Sequence, residues 1–228
     1  HADRIVRVGN EQLAVFAQLY DEPGTPPHRA RLPSLHAGLL SSVLTKLAVH
    51  PRRLANLGDD YFSTVMFDET YAHRDGTIVR NTDRSAPFAV ASQEWVLSGP
   101  HFFLANPFNK TPRKICAANK QYDPIDLETI PDNYLPRSNY RPMSDQAVYL
   151  NRTPRVCWME DNELTARPVT DYYRLVSRFM LAQSGERTLV STIATPKLAH
   201  IHTCFSIAFR DQNTLLAESG AFFSLPFD

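Results

Sequence analysis

Proline is the feature that most limits what this chain can fold into. The sequence contains 17 prolines and only 8 glycines, and many of the prolines lie between Pro100 and Pro168. Each proline removes a backbone donor and restricts φ to about −65°, which excludes long helices and central strands where prolines are frequent. We therefore expect this part of the chain to consist of stiff, extended loops.

Helices are predicted towards both ends of the chain. Apolar residues at helical spacing predict a short helix from Glu11 to Tyr20, followed by a proline-rich connector at 21–27. Leucines and a valine at steps of three and four predict a second helix, which begins near Pro33 and ends at Pro51. The pattern from Gln212 to Phe223 predicts a third helix.

Short β-prone runs between polar turns predict strands in the rest of the chain. The first of these runs contain Tyr61, Phe62, Val65, Phe67, Tyr71, Ile78, Val79, Trp95, Val96 and Leu97. Further strands or buried segments are predicted at 172–180, 188–193 and 200–209. The expected fold is mixed α+β, with a helical prefix at 1–57 and a β-rich module with long proline-rich loops at 58–228.

Charge and cysteine content restrict the class of protein. The 228 residues include 24 Lys and Arg, 24 Asp and Glu, and 43% apolar residues, a composition that predicts a folded and soluble body. We find no membrane span and no signal peptide, and the three cysteines form no CxxC pair, so we expect a cytoplasmic protein without membrane contact. Because the chain begins with His1 and ends on an apolar run, we expect a fragment of a larger protein.

Two loop-like stretches are basic although the chain is neutral in sum. The stretch from Ser98 to Tyr122 contains four cations and no acidic residue, and the stretch from Arg137 to Arg155 has four arginines against Asp145 alone. Aromatic and amide side chains lie among these cations, a mixture that suits contact with phosphates and with base edges. Ordinary solvated loops are the alternative interpretation.

The short motifs do not indicate a cofactor or metal site. Asn106-Pro107 has one proline where the Asn-Pro-Pro-Tyr/Phe loop of amino-methyltransferases has two, and it is interpreted as a turn. Neither GxGxxG nor a phosphate-binding GxxxxGK[ST] occurs. His200 and His202 alternate as on a strand but lack a third ligand at a convincing spacing.

Catalytic acids and nucleophiles are not indicated either. Asp123 and Asp126 lie beside a proline and suit turn and cap positions. Ser184 and the cysteines lack a local setting such as the GxSxG elbow. We expect the chain itself to be non-catalytic.

Several ordered blocks carry a resemblance to a known family. The blocks at 95–103, 106–113, 122–127 and 134–140 resemble the region downstream of the catalytic domain in Eco57I-type restriction-modification methylases of bacterial defence systems. The blocks at 171–176, 185–190 and 200–209 resemble the core of target-recognition domains in adenine-N6 DNA methyltransferases, and 224–228 resembles the end of such a domain.

This resemblance implies recognition of DNA and not methyl transfer. In that family the recognition domain faces the major groove, while a separate methyltransferase domain binds S-adenosylmethionine and receives the flipped adenine. The implied partners are double-stranded DNA, the methyltransferase domain of the same chain and other subunits of the defence system. S-adenosylmethionine is expected in the parent protein and no cofactor in this chain.

The chemistry of the side chains then suggests which residues contact DNA. Cations suit phosphates, arginine suits guanine and asparagine suits adenine. The predicted phosphate contacts are Lys110, Arg113, Lys114, Arg152 and Arg155. The predicted base-edge contacts are Asn109, Arg137, Asn139 and Arg141. Arg187 is interpreted as structural.

Two other functions compete with this hypothesis. The first is a protein–protein docking module of a defence complex, with exposed Phe102, Phe103, Trp158 and Phe222 as anchors. The second is an independent hydrolase that uses the aspartates and histidines named above. The salt dependence of affinity distinguishes the docking module from a DNA-binding module, because binding through an apolar interface does not weaken as the salt concentration rises.

Overall fold

The computed structural model describes residues 5–35, 37–80, 88–102, 109–116, 118, 120–143, 145–180 and 187–224. The chain divides into two compact units, His1–Gly58 and Asp59–Asp228. The sequence-based boundary at residue 57 lies one residue before this division. Asn106-Pro107 and Phe103 lie outside the described residues.

The first unit is a pair of packed helices. Helix α1 spans Asn10–Tyr20 and helix α2 spans Gly38–Val49. They contact each other, and the amide of Gln18 on α1 donates to the carbonyl of Ala48 on α2 at 2.8 Å. The prediction of α1 is confirmed to within one residue. The second helix begins later than predicted from Pro33, because Ala37 has extended backbone angles (φ −152°, ψ 146°) and interrupts the helical path.

The second unit is built on a four-stranded antiparallel sheet. Its strands are β1 (Tyr61–Thr64), β7 (Arg174–Arg178), β8 (Ser191–Ala194) and β10 (Cys204–Phe209), in the order β1-β10-β7-β8. Helix α5 (Gln212–Phe222) contacts β7, β8 and β10. Asp211 caps α5 because its carboxylate accepts from the backbone N–H of Thr214 at 2.8 Å. The mixed α+β class and the C-terminal helix are as predicted.

Three two-stranded ladders complete the unit. Strand β2 (Ile78–Arg80) pairs with β6 (Tyr140–Pro142), and β4 (Lys110–Pro112) pairs with β5 (Tyr122–Pro124), both antiparallel. Strand β3 (Val96–Leu97) pairs in parallel with β9 (Ala199–His200). Strands β4, β5 and β6 each end on a proline and lie where extended loops were expected, so that expectation was wrong for these residues. A proline at the end of a strand removes one donor, and the N–H groups of Arg113 and Ile125 still bond across the hairpin.

Two helices among the described residues lie where a strand or a loop was expected. Helix α3 spans Glu69–Arg74 and helix α4 spans Gln146–Arg152. Tyr71 is therefore helical, and its assignment to a β-run was wrong. The reason is local: the carboxylate of Asp68 accepts from the backbone N–H groups of Thr70 and Tyr71, each at 2.9 Å, and this cap outweighs the strand preference of tyrosine.

The core of the second unit contains an arginine. Arg174 on β7 is completely buried and donates to the carbonyl of Leu198 and to the sulfur of Met66. Among the described residues no carboxylate pairs with it, and burial lowers its pKa to about 10. His200 on β9 is completely buried as well, with Nε2 2.8 Å from the hydroxyl of Ser206.

Candidate functional site

The β4–β5 hairpin carries the first basic stretch. Beyond its three ladder pairs, the backbone N–H of Arg113 donates to the carbonyl of Gln121 at 2.9 Å, and the N–H of Ile125 donates to that of Asn109 at 2.7 Å. These bonds at both ends of the ladder define the hairpin's path although two of its residues are prolines. The hairpin therefore holds its cations on an ordered backbone.

The cations of the hairpin differ in their pairing. Arg113 donates to the carboxylate of Asp123 at 2.8 Å, and both side chains are more than 45% exposed. Lys114 and Lys120 are exposed, and no carboxylate of the described chain lies within 4 Å of either ammonium group. Lys110 is half-buried. The two lysines at the hairpin's end are thus the cations best placed to meet an anion from solvent.

Hydrogen bonds connect the hairpin to the segment 137–141. The backbone N–H of Arg137 donates to the hydroxyl of Thr111 on β4 at 2.8 Å. The amide of Asn139 donates to the hydroxyl of Tyr122 on β5 at 3.0 Å. Arg141 follows on β6 and is exposed, with no partner among the described side chains. These bonds join Arg137 and Asn139 to the hairpin, and Arg141 follows two residues later on β6. We call the hairpin together with the segment 137–141 the hairpin surface; among the predicted contact residues it leaves out Arg152 and Arg155.

Arg152 and Arg155 lie elsewhere and bind the protein's own atoms. Arg152 ends α4 and donates to the carbonyl of Asp75 at 2.8 Å and to the hydroxyl of Thr77 at 3.0 Å. Arg155 donates to the carbonyl of Ala166 at 2.5 Å. The structure does not bring these two arginines to the hairpin surface.

Arg137 is held by its neighbours on both backbone and side chain. Its guanidinium lies over the ring of Phe88, 4.0 Å from the ring centre. Its carbonyl oxygen is 3.1 Å from Nε2 of His101. The planar fork of the guanidinium is thus preorganised, which lowers the entropic cost of a bidentate contact.

A buried polar cluster lies beneath the hairpin surface. The hydroxyl of Ser98 is 3.1 Å from Nδ1 of His101 and 3.2 Å from the hydroxyl of Tyr122. Asn139 joins the cluster, since its amide also donates to the sulfur of Cys116 at 3.4 Å. The donors of Asn139 are therefore engaged inside the protein, so its part in the hairpin surface is to position β5 against β6.

Burial determines the protonation states in this cluster. It lowers the pKa of His101 and raises the pKa of Tyr122 to about 12. Both groups are therefore neutral near pH 7. Sequence reasoning missed Ser98 and His101 as a pair, although their i,i+3 spacing around Gly99-Pro100 suits a capping box, which the structure contains.

A small polar pocket of about 80 Å³ adjoins the cluster. Its wall includes Glu69, whose carboxylate accepts a short hydrogen bond from the hydroxyl of Tyr140. Burial, followed by the bond to Glu69, raises the pKa of Tyr140. Arg80 lies over the Tyr140 ring, 5.9 Å from its centre. This arrangement orients Tyr140 between β6 and α3.

Tyr140 also lines a larger cavity of about 650 Å³. This cavity lies beside the hairpin surface, because Arg141 is part of its wall. The described residues that line it are Phe88, Ala89, Gln93, Glu94, Ser138, Tyr140, Arg141, Pro142, Met143 and Gln146.

The structure separates the two histidines that were weighed as a metal pair. His200 contacts Ser206 inside the core, whereas Nδ1 of His202 accepts from the backbone N–H of Glu69 at 3.1 Å. No group of three potential metal ligands occurs among the residues that the structure describes. Asp126 closes a turn, accepting from the N–H of Glu128 at 3.0 Å, as predicted. Asp123 lies on β5 and pairs with Arg113, so its assignment to a turn was wrong.

Two of the aromatic anchors proposed in the docking hypothesis are buried. Phe102 and Trp158 were predicted to be exposed, but they are only 1% and 4% exposed. Phe102 packs in a core cluster with Leu97 and Val176, and the Trp158 ring lies against Tyr172. An aromatic side chain in a loop sequence resembles an interface anchor, but here both rings fill the interior.

Arg187 donates to the carbonyls of Phe223 and Ser224 after α5, a structural role.

No helix in the described part of the chain has the length and apolar character that crossing a membrane requires. Comparison of the chain with protein-family models, with curated proteins and with solved structures finds no match.

Proposed function

We propose that this chain is a DNA sequence-recognition module that binds double-stranded DNA through the hairpin surface. The observation that carries the proposal is the convergence of Asn109, Lys110, Arg113, Lys114, Arg137 and Arg141 on one hydrogen-bonded region. These residues come from two basic stretches that are separate in sequence. A surface that combines cations with amides and an arginine fork has the chemistry of phosphate and base-edge contact.

The side chains divide into two roles. Lys114 and Lys120 meet phosphates, since their ammonium groups have no carboxylate partner in the described chain. Arg113 joins them by exchanging Asp123 for a phosphate, because an exposed ion pair contributes only about 0–1 kcal/mol. Arg137 and Arg141 read base edges, with guanine as the preferred base, and Asn109 contributes an amide.

The net charge of zero limits the affinity of the chain for DNA. Non-specific binding depends on phosphate neutralisation, so a module with few unpaired cations binds random DNA weakly. In the proposed parent protein, an adenine-N6 methyltransferase of a restriction-modification system, the domain that binds S-adenosylmethionine supplies further contacts. The recognition module selects the site and leaves the methyl transfer to that domain.

The first test compares Lys114→Ala with Lys46→Ala. Each variant removes one exposed lysine, but Lys46 lies on α2 in the first unit and outside the hairpin surface. Fluorescence anisotropy with a labelled random duplex should show weaker binding for Lys114→Ala and a salt slope about one unit shallower. Lys46→Ala should match the unmodified protein. Equal effects of the two variants would contradict the assignment.

The second test concerns sequence choice. Duplexes selected from a random pool by the unmodified protein should share a motif, and Arg137→Ala should lose preference for it by a factor of about 10 while keeping its affinity for random DNA. Arg155→Ala is the matched control, because Arg155 is an exposed arginine bound to the carbonyl of Ala166. Equal losses by Arg137→Ala on selected and random duplexes would remove Arg137 from the base-reading residues.

A further inference from the structure

The cavity of about 650 Å³ next to Arg141 has the size and lining of a small-molecule site. Ligand pockets in proteins commonly enclose about 300–1,000 Å³ and combine apolar walls with a few polar groups. Here the apolar wall comes from Phe88, Tyr140 and Met143. Phe88 is 50% exposed although it is a large apolar side chain; Arg137 lies over its ring, and the exposed part of the ring is open to a ligand.

The polar groups of the cavity are of three kinds. Arg141 is the one cation among its described lining residues and has no partner among the described side chains. Gln93 is exposed and its amide makes no hydrogen bond within the described chain. One carboxylate oxygen of Glu94 accepts from the backbone N–H of Val90 at 3.0 Å, which leaves the other oxygen to accept from a ligand.

Each kind of group selects part of a ligand. A guanidinium that forms no ion pair with a described carboxylate suits a phosphate. An aromatic wall suits a planar heterocycle, because stacking on a ring tolerates any base. A glutamine amide pairs with the N6 and N7 edge of adenine, and a carboxylate oxygen accepts from an exocyclic amine.

We propose that this cavity binds an adenine nucleotide, with the base against Phe88, its N6 edge at Gln93 and Glu94, and its phosphate at Arg141. The nucleotide has two sources with the same chemistry: a free mononucleotide, or an unpaired adenine in a DNA strand that lies on the hairpin surface. The second source rests on the proposed function, and the first does not.

The experiment uses the full 228-residue chain and titrates it with AMP, GMP and ribose 5-phosphate by isothermal calorimetry. AMP should bind at least tenfold more tightly than GMP and ribose 5-phosphate. Arg141→Ala and Gln93→Ala should each weaken AMP binding about tenfold, the factor that corresponds to loss of one good polar contact. Lys46→Ala, an exposed cation in the first unit, should leave it unchanged.

A second arm tests the strand-borne source. Duplexes with a single bulged adenine or a single bulged thymine are compared, and the adenine should be preferred about tenfold in a manner that Gln93→Ala abolishes. Gln93 has no role in the proposed contacts to paired DNA, so this variant should bind a fully paired duplex like the unmodified protein. A preference in this arm without AMP binding supports the site and assigns the nucleotide to the strand.

Two results would overturn the inference. Equal binding of AMP and ribose 5-phosphate would reduce the cavity to an anion site at Arg141. Absence of AMP binding together with equal affinity for the two bulged duplexes would remove the nucleotide site, whatever the fully paired duplex does. Conversely, AMP binding that depends on Gln93, in a protein that binds no paired DNA, would contradict the proposed function and leave this inference standing.

Discussion

Acidification from pH about 7.5 to about 5 should destabilise the second unit by about 2 kcal/mol through His200 alone. His200 is completely buried, and both ring nitrogens have partners: Nε2 lies 2.8 Å from the hydroxyl of Ser206, and Nδ1 lies 3.1 Å from the carbonyl of Ile201. Burial, followed by the nearby charge of Arg174, lowers the pKa of His200 from 6.5 to about 3. The imidazole is therefore neutral in the folded protein throughout this pH range.

The sign follows from where the proton binds. Above pH 6.5 His200 is neutral in both the folded and the unfolded chain, so it contributes no pH dependence. Below that value only the unfolded chain takes up the proton, and stability falls with pH until the folded pKa of about 3 is reached. The pH of 5 lies about 1.5 units below the unfolded pKa of 6.5, and this interval corresponds to a loss of about 2 kcal/mol in the free energy of unfolding. His101, whose pKa burial also lowers, acts in the same direction.

Urea unfolding followed by tryptophan fluorescence between pH 5 and 7.5 measures this loss, because Trp95 and Trp158 both lie in the core of the second unit. His200→Gln should be less stable at neutral pH but should have a shallower acid dependence. His73→Gln, which replaces an exposed histidine of the same unit, should keep the full dependence. An NMR titration of the unmodified protein covers the case in which His200→Gln fails to fold. A His200 ring that protonates near pH 6.5 in the folded state would refute the reasoning.

Two further predictions concern packing. Gly99→Ala places a methyl group 3.0 Å from the carbonyl oxygen of Thr203 and should lower the free energy of unfolding in urea by about 1–3 kcal/mol. The control Gly220→Ala, in α5, meets no atom within 4 Å and should be neutral or stabilising. Equal effects of the two variants would contradict the close approach at Gly99. A thiol-specific reagent should modify Cys157, which is exposed, before Cys116 and Cys204, which are buried; equal rates for the three thiols in the native protein would show that the core is open.

The sequence predicts the parts of this fold that local patterns determine. Helices α1, α2 and α5 follow from apolar spacing, whereas the short strands β4, β5 and β6 form where the prolines predicted loops. Tyr71 shows where this reasoning fails, because the cap from Asp68 decides the local structure and not the propensity of the tyrosine. Likewise, the run 200–209 divides into β9 and β10, since the N–H of Cys204 turns back to the carbonyl of Ile201.

The candidate site depends on contacts that sequence spacing does not show. The basic stretches are visible in the sequence, but their meeting depends on Asn139 reaching Tyr122 and on Thr111 accepting from Arg137. The same contacts explain why Asn139 is an internal group, since only the folded chain shows what its amide meets. Phe102 and Trp158 were predicted to be exposed but are buried. Aromatic residues in a proline-rich stretch look the same in sequence whether they face solvent or the core.

The salt dependence of binding to a random duplex tests the central claim most directly. Counterion release contributes a slope of about −0.9 per phosphate contact in a plot of log K against log salt concentration, so Lys114, Lys120 and Arg113 together predict a slope of about −3. The measurement needs only the 228-residue chain, a labelled duplex and salt concentrations from about 20 to 200 mM. A slope near −3 that Lys114→Ala reduces by about one unit is the predicted result. Absence of binding at the lowest salt, or an affinity that does not change with salt, would contradict the account.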